Sequence, residues 1–331
     1  MSNPNDMPGG GDDGGRGEKA KQLEKYVSKG RVNPEDYRGH PDFPNRMIDR
    51  DNQKLQEKIK EDERRERQRT NNESASDDYA RRWMEPMLTY IMNRSNFTSK
   101  AHRSFAHLAS LFDDKCRATD IVFGIEHIDR KTSVSELMTF SIDVTTSTDI
   151  NKAEEKFVNS SVSHFGALPW GADVHYCYDI ANDERYSEGA APHFVLGLSP
   201  ASIDKALDNF ELSEGKIMRK KDLDTDFKIY SELYEQIKMQ LKMIKADGSN
   251  AADKRRDFLQ ALGGDARMKI LYILKEKDED GRPVENEEEF IDRYSKEINK
   301  ARTEDDVYRN IIYETTRMPQ LWQKIGKIGL G

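Results

Sequence analysis

The feature that most constrains this chain is a change in the period of its apolar residues. From Trp83 to Phe112 they recur every three to four positions, between 119 and 147 they alternate, and beyond Gly215 the longer spacing returns. A period near 3.6 marks an amphipathic helix and a period of 2 a half-buried strand, so the chain must set a small sheet among helices. Trp83, Met87, Tyr90 and Ile91 predict one helix; Phe105, Leu108, Ala109 and Phe112 predict a second. The segments TDIVFGIEHI (119–128) and ELMTFSIDVTTS (136–147), joined by the polar run DRKTSVS, predict a β-hairpin. Asp149–Ser160 then reads as a helix with Ile150, Ala153, Phe157 and Val158 inward, followed by strands at Val174–Ile180 and His193–Leu198. Ser199-Pro200 supplies a capping hydroxyl and a first-turn proline for a helix through Ile203, Leu207 and Phe210.

The flanks differ in kind. Beyond 215 the stripe Phe227, Tyr230, Leu233, Tyr234, Ile237, Leu241, Ile244 predicts one long helix, Met218–Ala246, ended by DGSN at 247–250. Shorter helices are expected at Ala251–Leu262, Ala266–Lys277, Glu287–Lys300 and Glu304–Ile312. This helical region, 216–331, is a candidate surface for homo-oligomers. At the other end, residues 1–17 are mostly Gly, Asp, Asn and Pro, and within 50–69 Leu55 and Ile59 are the only apolar residues in a run of mixed charge. With 35% hydrophobic against 34% charged residues and a mean hydropathy of −0.90, part of the chain is expected to stay outside any core. The expected organisation is a disordered charged tail and linker (1–78), an α/β core (79–215) and a helical C-terminal region (216–331). The tail, with helical pieces at Glu18–Ser28 and 50–69, would be the part that meets a protein partner.

Several function classes fall away. No apolar run reaches the roughly 20 residues that cross a bilayer, and no leader is read at the start, so a cytoplasmic setting without membrane is expected. Cys116 and Cys177 stand alone, without the paired spacing of zinc sites or disulfide frameworks. Net charge is −8, and residues 81–215 hold 13 basic against 20 acidic residues, which excludes a general basic coat for nucleic acid. No Gly-rich phosphate loop, GxSxG or HExxH occurs. The run from Glu276 through Asp278, Asp280 and Gly281 to Glu287 has EF-hand spacing, but Glu opens it and Pro283 interrupts it, so a charged interhelical loop is the expectation. The histidines show no ligand spacing, and Met218, Met239, Met243 and Met268 read as core filler.

What remains is the polar face of the hairpin. Met138, Phe140, Ile142 and Val144 alternate with Thr139, Ser141, Asp143 and Thr145, while Ile121, Phe123 and Ile125 alternate with Asp120, Val122, Gly124 and Glu126. Side chains of period two share a face only in certain registers. Joining the apolar sets, for example with Asp120 opposite Thr145, puts Asp120, Glu126, Asp143 and Thr145 together. Carboxylates so placed repel unless a cation, a proton or a basic partner intervenes, and Mg²⁺ is held by one or two of them plus waters.

This arrangement resembles the PD-(D/E)xK nuclease superfamily, the restriction-endonuclease-like fold, whose core is a helix, an acid-bearing hairpin, a crossover helix and a further strand. The resemblance covers about 80–215. It implies a mixed sheet flanked by helices, with Asp120 as the first acid and Asp143 as the second, the Val144 carbonyl beside it, and Glu85 as an extra acid on the preceding helix. Thr119 stands where the family has proline and Thr145 where it has lysine, so the lysine role would pass to Lys152 or Lys156 on the following helix. The function implied is Mg²⁺-dependent cleavage of nucleic-acid phosphodiesters, with Asp120, Asp143 and Glu126 as candidate metal ligands. The alternative is a catalytically inactive member of that fold serving as a binding scaffold.

Overall fold

The computed structural model describes residues 13–27, 31–67, 83–94, 104–117, 119–128, 135–161, 171–179, 182–213, 216–244 and 250–328. The first and last residues, the linker at 70–78, the hairpin turn at 129–134 and most of DGSN lie outside them. Helices α1 (Asp13–Val27), α2 (Asn45–Glu66) and α3 (Glu85–Arg94) precede β1 (Ser104–Leu108) and α4 (Leu111–Arg117). The hairpin follows as β2 (Ile121–Ile128) and β3 (Ser135–Thr145), then α5 (Ile150–Ser161), β4 (Gly171–Asp179) and β5 (Glu184–Gly197). Next come α6 (Pro200–Asp208), the small hairpin β6 (Phe210–Ser213) and β7 (Lys216–Arg219), and helices α7 (Leu223–Ile244), α8 (Asn250–Lys277), α9 (Glu287–Glu304) and α10 (Asp306–Ile328). The fold is α/β, with one mixed sheet flanked by helices.

The five-stranded sheet runs β1-β2-β3-β5-β4. All its pairs are antiparallel except β3 with β5, where Ser141–Thr145 lies parallel to His193–Gly197. Ile121 pairs with Ile142 and Phe123 with Phe140, two residues away from the expected alignment. A two-residue slip keeps every side chain on its face, so the inference about faces survives. One face presents Phe123, Phe140, Ile142, Phe194 and Leu196 to a core built with α3, α7 and α8. Across the sheet, Ala153 and Phe157 of α5 pack with Val195 and with Ile311 and Met318 of α10.

Helix α7 also binds the sheet edge. Among the described residues no strand flanks β5 opposite β3 over 193–197, and β4 pairs as far as Pro192. Three α7 side chains take the missing strand's place. Gln236 accepts from the Val195 N–H (2.9 Å) and donates to its carbonyl (2.6 Å). Glu232 accepts from the Gly197 N–H (2.9 Å), and Gln240 donates to the His193 carbonyl (2.8 Å). Burial pushes the Glu232 carboxyl well above its usual range, although the Gly197 N–H opposes that shift. Gly197 is needed here: a Cβ would come within 2.8 Å of Val307 and Ile311 on α10.

Several expectations change: Ile150, Met218 and Met268, expected inward, are exposed, and the last helix runs to Ile328. Residues 105–108 form β1 rather than a helix, with Phe105 pairing Gly124, so their spacing reflected an edge strand followed by the short α4. Phe210 and Met218 belong to the β6–β7 hairpin, and the long helix therefore begins at Leu223. The pieces expected at 251–262 and 266–277 are one helix, since Leu262, Ala266 and Ile270 bury one continuous stripe across Gly263-Gly264. The largest change is in the segment expected as a disordered tail. Between 31 and 66 it is folded: Tyr37, Phe43, Ile48 and Leu55 form a core with Phe112 and Tyr176. Asp51 anchors it from α2, with one carboxylate oxygen 3.0 Å from the Tyr176 hydroxyl and 3.2 Å from His175 Nδ1. The aromatic residues and the single buried acid outweigh a composition dominated by exposed charge. In the loop after α8, Asp278 accepts the N–H groups of Asp280 and Arg282 and pairs with Arg293, as a charged interhelical loop does.

Replacing Gln236 with Ala should cost about 2–4 kcal/mol in denaturant unfolding, because the Val195 N–H and C=O both lose their partner while buried. Lys238→Ala, one residue pair along on the exposed side of α7, should stay within about 0.5 kcal/mol of the parent.

Candidate functional site

Asp120 stands where the chain enters β2. Its N–H bonds to the Ile142 carbonyl (2.9 Å), and its Oδ2 accepts the Val144 N–H (2.6 Å). The carboxyl is thereby held beside Asp143, which points from the same face of β3 and is buried. Glu85, also buried, comes from the first residue of α3. Burial, then the charges of Glu85 and Asp143, push the Asp120 carboxyl well above its ordinary range, and a hydrogen bond with Asp143 helps retain its proton.

The cation comes from α5. Thr145, at the position where the resemblance calls for lysine, accepts the Ser147 N–H (3.2 Å), and Asp149 caps the helix by accepting the Asn151 N–H (2.9 Å). Ala153 and Phe157 face the sheet, and Lys156, beside Phe157, reaches the Asp143 carboxylate and bonds to it. Its side chain is 30% exposed against 4% for Asp143, so the lysine closes the site on the solvent side. Burial pulls the Lys156 ammonium down, but Asp143, Asp120 and Glu85 together raise it above the ordinary lysine value. The structure therefore brings together Glu85, Asp120, Asp143 and Lys156.

Two expected members lie apart. Lys152 is one turn earlier on α5, and Lys156, not Lys152, makes the pair with Asp143. Glu126 does share the face of Asp120, but it pairs with Leu137, six residues along β2 and hence roughly 20 Å away. Shared parity made it a candidate, and distance along the strand removes it as a ligand beside Asp143.

The sequence did not single out Ser141 and His193. His193 is opposite Ser141 across the parallel pair, and its Nδ1 lies 2.8 Å from the Ser141 hydroxyl. Burial lowers its pKa to about 4 although Asp143 opposes the shift, so the ring is neutral near pH 7. Only the register of β3 against β5 reveals this neighbour, and no spacing in the sequence encodes that register.

Among the described residues no three His, Cys, Asp or Glu side chains converge as a finished metal cage. The donors near Asp120 are nonetheless hard carboxylate oxygens with the Lys156 ammonium beside them, the chemistry suited to Mg²⁺ with several retained waters. Cys116 and Cys177 are both free thiols. Compared with protein families, with curated proteins and with solved structures, the chain matches none. No helix is long and apolar enough to cross a membrane among the described residues.

The raised Asp120 fixes the sign of a stability effect. The folded state holds a proton there that the unfolded chain releases near the ordinary aspartate pKa, so this group's contribution falls as pH rises from there through the folded value. Asn keeps an acceptor for Val144 and removes the charge. Asp120→Asn should therefore unfold later than the parent at pH 8 in chelator, by about 1–2 kcal/mol, with the gain vanishing near pH 4. Denaturant melts at both pH values check this.

Proposed function

We propose that the Glu85–Asp120–Asp143–Lys156 cluster is the site of a metal-dependent phosphodiester hydrolase of restriction-endonuclease-like type. The observation that carries this reading is the convergence of Asp120, Asp143 and Lys156 from the hairpin and its crossover helix, with Glu85 added from the helix before. Helix α3, the β2–β3 hairpin, α5 and β5 follow the order that the resemblance implies, with β1 and α4 inserted before the hairpin and β4 before the last strand.

Asp120 and Asp143 would hold Mg²⁺, which supplies charge neutralisation at the phosphate and a water acidic enough to serve as nucleophile. The chain's own groups have separate tasks. The Val144 N–H fixes the orientation of Asp120. Lys156, at the solvent-facing edge, is positioned to leave Asp143 for a phosphate oxygen and to balance charge that develops there. Glu85 adds negative charge near Asp120, which raises that carboxyl's attraction for a proton and for Mg²⁺ alike. The acidic balance of 81–215 weakens non-specific attraction to nucleic acid, which makes a short or end-bound substrate a better fit than a long duplex.

Calorimetric titration with Mg²⁺ or Mn²⁺ tests the reading, followed by cleavage assays on single- and double-stranded DNA and RNA. Binding at millimolar affinity or tighter is expected, with loss of about tenfold or more in Asp120→Asn and Asp143→Asn. Lys156→Met should keep the metal and lose cleavage by about 10²-fold or more. Metal binding unaffected by either carboxylate change would remove the catalytic reading and leave the inactive scaffold as the account of the fold.

A further inference from the structure

Two buried acids meet where α7 passes the end of β5, and they are partnered unequally. Asp305, between α9 and α10, accepts from the Ser199 N–H (3.1 Å) and hydroxyl (3.1 Å), the Ser202 hydroxyl, and the Val307 and Tyr308 N–H groups (3.0 Å each). The Lys228 ammonium of α7 lies 3.3 Å from the same carboxylate and 2.9 Å from the Ser202 hydroxyl. Glu232, one turn further along α7, is 1% exposed and has the Gly197 N–H on its Oε2 (2.9 Å). Its Oε1 is buried with no hydrogen-bond partner among the described residues.

One cation is thus set between two acids, and the donors around each decide which carries the charge. A buried carboxylate needs several donors or a close cation in place of water, and Asp305 has both. Glu232 has a single N–H, the ion pair of Lys228 is with Asp305, and the charge of Asp305 opposes a second anion beside it. The remaining faces supply no further cation. Val307 and Ile311 crowd Gly197 from α10, and Tyr308, its phenol pushed up by burial with Glu232 adding to the shift, shares a hydrogen bond with Ser231 (2.7 Å). Uncharged, the Glu232 carboxyl keeps the Gly197 bond; ionised, it adds an unmatched charge between α7, α10 and β5. Gly197 ends β5 opposite Thr145 in the parallel pair, and Thr145 ends β3 just before α5, the helix that carries Lys156.

We propose that Glu232 is a proton-operated latch: protonated, it fastens the Gly197 end of β5 to α7, and on giving its proton to solvent it loosens that end. The latch stands independently of the hydrolase reading, since it uses none of Glu85, Asp120, Asp143 or Lys156.

Denaturant unfolding of the full chain from pH 5 to pH 9 tests it, comparing the parent with Glu232→Gln, which keeps an acceptor for Gly197 and cannot ionise. A carboxyl that keeps its proton when folded and releases it when unfolded costs stability as pH rises from the unfolded value through the folded one. The ratio of the parent's unfolding constant to that of Glu232→Gln should therefore grow about tenfold per pH unit from pH 5 until Glu232 ionises. Acids elsewhere titrate alike in both chains and cancel in the ratio. Over the same range the Gly197 amide should lose hydrogen-exchange protection in the parent and keep it in Glu232→Gln, because opening that strand end lets Glu232 release its proton. Should Glu232→Gln not fold, Glu232→Met, equally unable to ionise, decides on the same ratio. A ratio constant across the range, equal loss of Gly197 protection in parent and variant, or failure of both uncharged variants to fold would each overturn the proposal.

Discussion

Two parallel strands cannot be joined by a tight turn, and the pairing of Ser141–Thr145 with His193–Gly197 therefore obliges the chain to leave the sheet and return. The excursion is α5 followed by the antiparallel strand β4, and α5 lies against the sheet with Ala153 and Phe157 inward. That packing carries Lys156 to Asp143. Over the same five residues α7 bonds to the far edge of β5. The candidate site and the attachment of the C-terminal helices thus both depend on one parallel contact of five residue pairs.

Charge is handled in two different ways within the molecule. Where the N-terminal arm docks, Asp51 is matched by a tyrosine hydroxyl and a histidine ring, and its carboxyl is held below the usual range although burial alone would raise it. Asp113 nearby accepts the N–H groups of His175 and Tyr176 and the Ser110 hydroxyl. These acids are satisfied and serve to hold elements together. Where the chain enters β2, Glu85, Asp120 and Asp143 lie around the Lys156 ammonium, and burial with the charges of the other two acids pushes the Asp120 carboxyl well above its ordinary range. Clustered acids whose charges push one another's titration upward have the character expected of a functional centre.

Much of this was legible from the chain. Alternation located β2 and β3, parity placed Asp120 and Asp143 on one face, and the resemblance named Lys152 and Lys156 together as candidates for the lysine. The contributions that escaped are those that depend on distance along a strand or on pairing between remote segments. Parity could not separate Glu126 from Asp120, and nothing local tells which of Lys152 and Lys156 meets Asp143. His193 becomes a neighbour of Ser141 only through the parallel register. The folded arm from 31 to 66 escaped for another reason: a few aromatic anchors, Tyr37 and Phe43 among them, decide its fate while its many charged residues dominate the composition.

The way α7 seals β5 also sets a limit on length. Along α7 the three residues are four apart, a rise of about 6.0 Å per step, whereas each step of two residues along β5 spans about 6.7 Å. The two rulers drift by about 0.7 Å per rung, so the mismatch is about 1.4 Å across three rungs and would pass 2 Å at a fourth, beyond what a 2.6–2.9 Å hydrogen bond absorbs. A helix can therefore stand in for a strand only over a short stretch. β5 changes neighbour where that stretch ends: from Pro192 back towards Glu184 the partner is β4, in a ladder that absorbs its own mismatches through two register shifts, and Pro192, having no N–H to offer either partner, sits at the handover.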